Sequence, residues 1–226
     1  MKRVLIVLSI LSMLTSCFNF NFKPGKAIRC KGPVVEKSFE LKDFQGITVN
    51  GQADITLTQA DVFSVVVKAN EDAFEYLNYR VEEGELILET KDHVNLLAKE
   101  LDVYVSLPLL TSIIVNGAAD VDLKGNYKAE KPLSMTVNGA GDFELNGLAV
   151  PSLSFTLNGA GDIEANDLDV EKLAVSINGA GDIVLGGKAA EATVSVRGAG
   201  DVDATNLKCP KWDTHRAGLA SIKTGK

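Results

Sequence analysis

The 226-residue chain carries 23 Lys and Arg against 30 Asp and Glu, a net charge of -7, and is 46% apolar and 23% charged. That composition is ordinary for a globular protein and excludes a disordered chain, a collagen or a polytopic membrane protein. No basic stretch stands out, which argues against nucleic acid as a partner. Two histidines leave little material for a His-rich metal site.

The first element is a targeting segment. Lys2 and Arg3 precede an apolar run, Val4 to Leu14, broken only by serines. A spanning helix needs about 20 residues, so the run reads as a secretory signal peptide over residues 1–16. Leu14-Thr15-Ser16-Cys17 resembles the lipobox of bacterial lipoproteins. The resemblance implies a lipidated Cys17, a membrane partner through that anchor, and an outer-membrane lipoprotein of the cell envelope. No acidic run follows Cys17, and both a periplasmic and a surface orientation stay open. Residues 17–38 then form a tether with Phe18, Phe20 and Phe22. In an oxidising compartment the two remaining cysteines, Cys30 and Cys209, are a candidate disulfide. The alternative is two unpaired thiols.

Next comes a repeat. Asn50-Gly51-Gln52-Ala53-Asp54 is echoed by Asn116-Gly117-Ala118-Ala119-Asp120 and then by three Asn-Gly-Ala-Gly-Asp words starting at Asn138, Asn158 and Asn178. Arg197-Gly198-Ala199-Gly200-Asp201 is the sixth copy, and Arg216-Ala217-Gly218-Leu219-Ala220-Ser221 reads as a decayed seventh. From the second copy on, the words recur every 19 to 22 residues. Their flanks alternate apolar and polar, which is the strand signature. Val49, Val115, Val137, Leu157, Ile177 and Val196 stand one residue before each word, and Ile55, Val121, Phe143, Ile163, Ile183 and Val202 one after. A 20-residue unit of two short strands cannot bury its apolar face alone, whereas stacked units can. The pattern therefore predicts an all-β fold, a right-handed parallel β-helix (solenoid) of about 20-residue rungs. A hairpin at each Asn-Gly, leading to an antiparallel prism or sandwich, is the alternative.

Residues 59–112 interrupt the period. Phe63–Ala69, Tyr79–Val81, Glu85–Thr90 and Leu101–Leu107 read as strands. Asn70 to Leu77 reads as one short helix with Asn70 as N-cap and acids in its first turn. The chain thus divides into an N-terminal β section, residues 39–115, and a repeat section, residues 116–226. The interrupting section is placed to cover the N-terminal end of the stack, whose open strands would otherwise invite edge pairing.

Ile47-Thr48-Val49-Asn50-Gly51, the stretch Val65 to Leu77, Glu85-Leu86-Ile87-Leu88, Val103 to Pro108 and the Asn-Gly-Ala-Gly-Asp words together resemble a bacterial family. It is the putative auto-transporter adhesin, head GIN domain family, common among Bacteroidetes lipoproteins. The resemblance spans roughly residues 39–222. It implies a β-helix-like stack of parallel strands and an adhesin-like role, and it carries over no catalytic residues.

Two columns are candidates for function. The Asp column (Asp54, Asp120, Asp142, Asp162, Asp182, Asp201) would repel itself unless each carboxylate caps its own corner or a cation sits among them. Asp142, Asp162, Asp182 and Asp201 are therefore candidate calcium ligands, and calcium is the sole cofactor considered. The Asn column is expected to form a hydrogen-bonded ladder ended by Arg197. Small hydroxyls make a candidate binding face for a glycan or an envelope protein: Thr136, Thr156, Ser176, Ser195, Ser134 and Ser154. No nucleophile motif, P-loop or Cys/His metal spacing occurs. The sequence reads as a binding protein and not an enzyme. The decayed last repeat makes self-association through the end of the stack a second reading, and a polysaccharide-active enzyme a third.

Overall fold

Strand β9 (Ser112–Lys124) shows why this chain stacks. Its residues alternate between buried and exposed on both sides of the Asn-Gly word, so one face of each half points to a shared interior. The computed structural model describes residues 26–91 and 94–225. The leader, the Cys17 anchor and the three tether phenylalanines lie outside the described residues, as does His93.

The protein is all-β, with about 72% of the described residues in strands. The remaining strands are β1 (Ala27–Arg29), β2 (Val34–Phe39), β3 (Gly46–Gln59), β4 (Ser64–Asn70), β5 (Arg80–Glu82), β6 (Glu85–Glu89), β7 (Asn95–Leu97) and β8 (Leu101–Leu107) before β9. After it come β10 (Tyr127–Lys128), β11 (Leu133–Ala140), β12 (Phe143–Glu144), β13 (Leu148–Leu157), β14 (Ile163–Ala180), β15 (Ile183–Lys208) and β16 (Trp212–Thr224). The repeat strands pair in parallel, residue on equivalent residue. Asn50 meets Asn116, Asn116 meets Asn138, Val137 meets Leu157, and Asn178 meets Arg197. The parallel pairing rules out the hairpin alternative for the words. Five of these strands, β9, β11, β13, β14 and β12, pair in a closed ring, with further strands added at either end. The ring closes because β9 runs through its Gly-rich corner unbroken and β14 runs unbroken from one corner through the return to the next, while β11 and β13 before the corner and β12 after it fill the two sides between them.

Both apolar columns named in the sequence are inside. Val49, Val115, Val137, Leu157, Ile177 and Val196 are at most 2% exposed, and Phe143, Ile163, Ile183 and Val202 are also buried. Each fully buried side chain of this size contributes roughly 1.5–3 kcal/mol relative to exposure. The corner requires glycine where rungs touch backbone to backbone. A Cβ at Gly159 would lie 1.9 Å from the carbonyl oxygen of Gly139, and one at Gly161 would lie 2.0 Å from that of Gly141. Buried Tyr127 pins the return between rungs, donating its hydroxyl to the Leu110 carbonyl and accepting from the Leu110 N–H.

The interrupting section does cover the N-terminal end. β6 pairs with the first half of β3 and β8 with its second half, and the antiparallel strands β4, β2 and β5 extend outward from them. Three expectations change. The short helix is a 3-10 turn over Glu71–Glu75. Its N-cap residue Asn70 makes no cap bond, because its buried side chain donates to the Gly32 carbonyl and accepts from the Lys99 N–H. Cys30 and Cys209 are free and buried. Cys30 bonds to Leu97 beside β7 at the N-terminal end, whereas Cys209 lies between β15 and the last strand. The intervening rungs, at about 4.8 Å each, separate them by on the order of 20 Å. A disulfide tolerates a Cα separation of about 7 Å. The seventh word also shifts by one residue. Ala217, and not Arg216, meets Arg197, so Arg216 takes the inward position of Val196.

Candidate functional site

Each rung shows solvent two flat faces, one before the corner and one after it. On the first face three columns run along the stack in register. The outermost holds Gly46, Ser112, Ser134, Ser154, Ala174, Thr193 and Asp213. The middle one holds Thr48, Ile114, Thr136, Thr156, Ser176, Ser195 and His215. The structure thus brings together all six hydroxyl residues singled out in the sequence. Ser134 is exposed and the other five are half-buried. Among the described residues none of the six hydroxyls has a protein hydrogen-bond partner, so they are open to water or a ligand.

The third column is the asparagine ladder. Asn178 donates its side-chain amide to Asn158, Asn158 to Asn138, Asn138 to Asn116 and Asn116 to Asn50, each at 2.9 Å. All the amides point toward the N-terminal end, where Asn50 donates to the Glu89 carboxylate at 3.3 Å. Burial alone would raise the Glu89 pKa. The hydrogen bonds from Arg80, Asn50 and Asn78 outweigh it and hold the carboxyl below the usual range. The neighbouring column ends in the same way. Glu85 accepts from Ser112 at 2.8 Å and from Thr48 at 3.4 Å, and it occupies space that only Gly46 leaves open. These carboxylate ends were not legible in the sequence, because residues 85–89 are far from the words in the chain.

The second face is acidic. Its first column holds Asp102, Asp54, Asp120, Asp142, Asp162, Asp182 and Asp201. Beside it lie Tyr104, Thr56, Asp122, Glu144, Glu164, Val184 and Asp203. Sequence reasoning missed this second column; its signal was the acid two residues after Asp120, Asp142, Asp162 and Asp201. The Asp carboxylates do not cap their own corners. From Asp120 on, each reaches to the next rung: Asp142 N–H donates to Asp120, Asp162 to Asp142, Asp182 to Asp162, Asp201 to Asp182 and Ser221 to Asp201, at 2.8–3.0 Å. Burial, then the nearby Asp120 and Asp102 charges, raise the Asp54 pKa. Among the described residues no group of three or more His, Cys, Asp or Glu stands together that could hold a metal ion. A depression of about 590 Å³ runs as an open groove along the corner, lined by Ala119, Gly141 and Gly161 with Asp54, Asp120, Asp142 and Lys99.

Stacked parallel strands with two repetitive polar faces define the class: an all-β protein of in-register repeats. The chain belongs to the family described as putative auto-transporter adhesin, head GIN domain, whose sequence pattern matches residues 43–225. That description is of a cell-surface or envelope protein. Three solved structures share the fold. A protein of Parabacteroides distasonis described as a putative lipid binding protein superposes with a TM-score of 0.80 at 23% identity, covering 88% of this chain and 85% of its own. A putative adhesin of Parabacteroides merdae gives 0.73 at 21% identity over 88% and 84%. One of Bacteroides fragilis gives 0.72 at 18% identity over 87% and 99%. No curated protein matches the sequence.

Proposed function

We propose that this chain is a non-catalytic, adhesin-like binding module of the cell envelope, held at the outer membrane by a lipidated Cys17 and binding a glycan or an envelope protein through its hydroxyl face. The observation that carries the reading is the in-register array of Thr136, Thr156, Ser176 and Ser195 beside Ser134 and Ser154, edged by the asparagine ladder. Neutral hydroxyls and amides at a regular rung spacing suit a polymer that offers hydroxyls or amides along its length. Such contacts are individually weak, about 0.5–1.5 kcal/mol each, and gain strength by number. Rungs that step about twenty residues in register also support a right-handed β-solenoid, which keeps such a face flat. The description of one structural neighbour as lipid-binding finds less support, because the groove along the corner is open and lined with carboxylates and is not an apolar chamber for an acyl chain.

A glycan-array screen of the full chain, repeated with envelope proteins as bait, tests the reading. Binding that falls by at least about tenfold in a Thr136→Ala, Thr156→Ala, Ser176→Ala variant supports it. Unchanged binding in that variant moves the site elsewhere, and no binding in either screen removes the proposal.

A further inference from the structure

We propose that β16 is a self-complementary edge through which two copies of this chain join end to end about a twofold axis. β16 pairs with β15 on one side, and among the described residues nothing meets its outer edge. It is 13 residues long, mostly exposed, and carries Leu219 at 88% exposure. An open edge of this length is a template for a further strand.

Three observations identify a second copy as that strand. The first is charge. The rung turns at Gly218, which has a φ of 108°. A twofold axis through that corner lays each half of the rung antiparallel on the other half of its mate, and residues equally distant from Gly218 then face each other. Asp213 faces Lys223 of the second copy, and the pairing occurs twice. Both side chains point outward, since Asp213 stands in the column of Thr193 and Lys223 in the column of Asp203. Inward positions likewise meet inward positions, Thr214 opposite Ile222 and Trp212 opposite Thr224. The second observation is the Trp212 indole nitrogen, which is buried and has no hydrogen-bond partner. The twofold sets Thr224 of the second copy opposite Trp212, so that a turn of the indole out of its present covered position gives its N–H the Thr224 carbonyl or hydroxyl as an acceptor. The third is the other end of the molecule. There β6 and β8 already cover β3, so a head-to-tail chain is blocked and the assembly closes at two. Arg216, which donates to the Ala220 carbonyl, then stands opposite a small alanine that leaves its guanidinium room. Because Thr214 and Arg216 interrupt the apolar columns at this end, the joint depends on strand register and not on merging cores.

Light scattering on the full chain over a concentration series tests the proposal, with Asp213→Lys, Lys223→Asp and the double variant. These residues are on the exposed edge, and a melting temperature near that of the parent shows that each variant folds. The parent is expected to be a dimer. Each single reversal, which turns two attractive contacts into two repulsive ones, is expected to weaken it by about tenfold or more, and the double variant to restore it. A parent that stays monomeric at every concentration overturns the proposal. So does a dimer indifferent to the single reversals, or one the double variant fails to restore. A chain that dimerises only after residues 18–25 are removed assigns the edge to that segment and overturns it too.

Discussion

At the level of single residues, the Asp column shows how like charges are tolerated side by side. Carboxylates about 4.8 Å apart repel by about 0.9 kcal/mol at bulk-water dielectric. From Asp120 to Asp201 each is offset by the N–H that it accepts from the next rung, as where Asp182 N–H meets Asp162 at 2.8 Å. Replacing Asp162 with Asn keeps the acceptor and removes the repulsion. Replacing it with Ala removes both. Urea unfolding is therefore expected to find Asp162→Asn at least as stable as the parent and Asp162→Ala about 1 kcal/mol below the Asn variant. Equal stabilities for the two would show that the column is not held by these bonds. Gly159 is a harder constraint. Its missing Cβ would sit 1.9 Å from the backbone oxygen of Gly139, which cannot turn aside as a side chain can. Gly159→Ala is expected to lower stability by about 2 kcal/mol or more, read in the same titration.

Elements at the two ends solve the problem of a repeat that must stop. At the N-terminal end β6 supplies Glu85 and Glu89, which receive the last donors of two columns. This has a pH signature. The folded Glu89 pKa lies below that of an unfolded glutamate, about 4.3. Its stabilising contribution is present above that pH and is lost as pH falls through the depressed folded value. A Glu89→Gln variant is expected to be less stable than the parent at neutral pH and to lose less stability on acidification; parallel denaturation curves between pH 6 and pH 3 would contradict this. The ends are also where the sequence was least legible. The rungs could be read because Asn, Gly and Asp recur at sites where ladder, corner and inter-rung bond each demand them. The last rung keeps few of these residues, and a misalignment of one position moves every side chain to the opposite face. The seventh word was thereby placed one residue early: Ala217 pairs with Arg197, and Arg216, still exposed at this end, pairs with Val196. The pairing of β6 beneath the first rung was hidden for another reason. It joins residues some 40 apart that follow no repeat, such as Asn50 and Glu89.

Across the whole molecule the charge is sorted by face. The sequence showed one column of acids, because the second column varies among Asp122, Glu144, Glu164 and Asp203 and is broken by Val184; stacking alone reveals that they adjoin. Few cations balance this face. Lys124 pairs with Asp122, and Lys223 lies near Asp203 at its far end. Self-repulsion on this scale is screened by salt, since the Debye length falls from about 30 Å at 0.01 M to about 8 Å at 0.15 M. Salt should therefore raise the melting temperature over that range, by about 2–4 °C for each kcal/mol released. Glu144→Lys with Glu164→Lys breaks the acidic field at its centre, so this variant should melt higher than the parent at 0.01 M salt and respond less to added salt. Calcium separates screening from binding. Each rung offers one Asp in the first column, with an oxygen already engaged by the next rung, so calcium is expected to act no more strongly than magnesium at the same ionic strength. A rise specific to calcium and abolished by Asp142→Asn with Asp162→Asn would instead make Asp142, Asp162, Asp182 and Asp201 a row of cation ligands, and the acidic face a second functional surface.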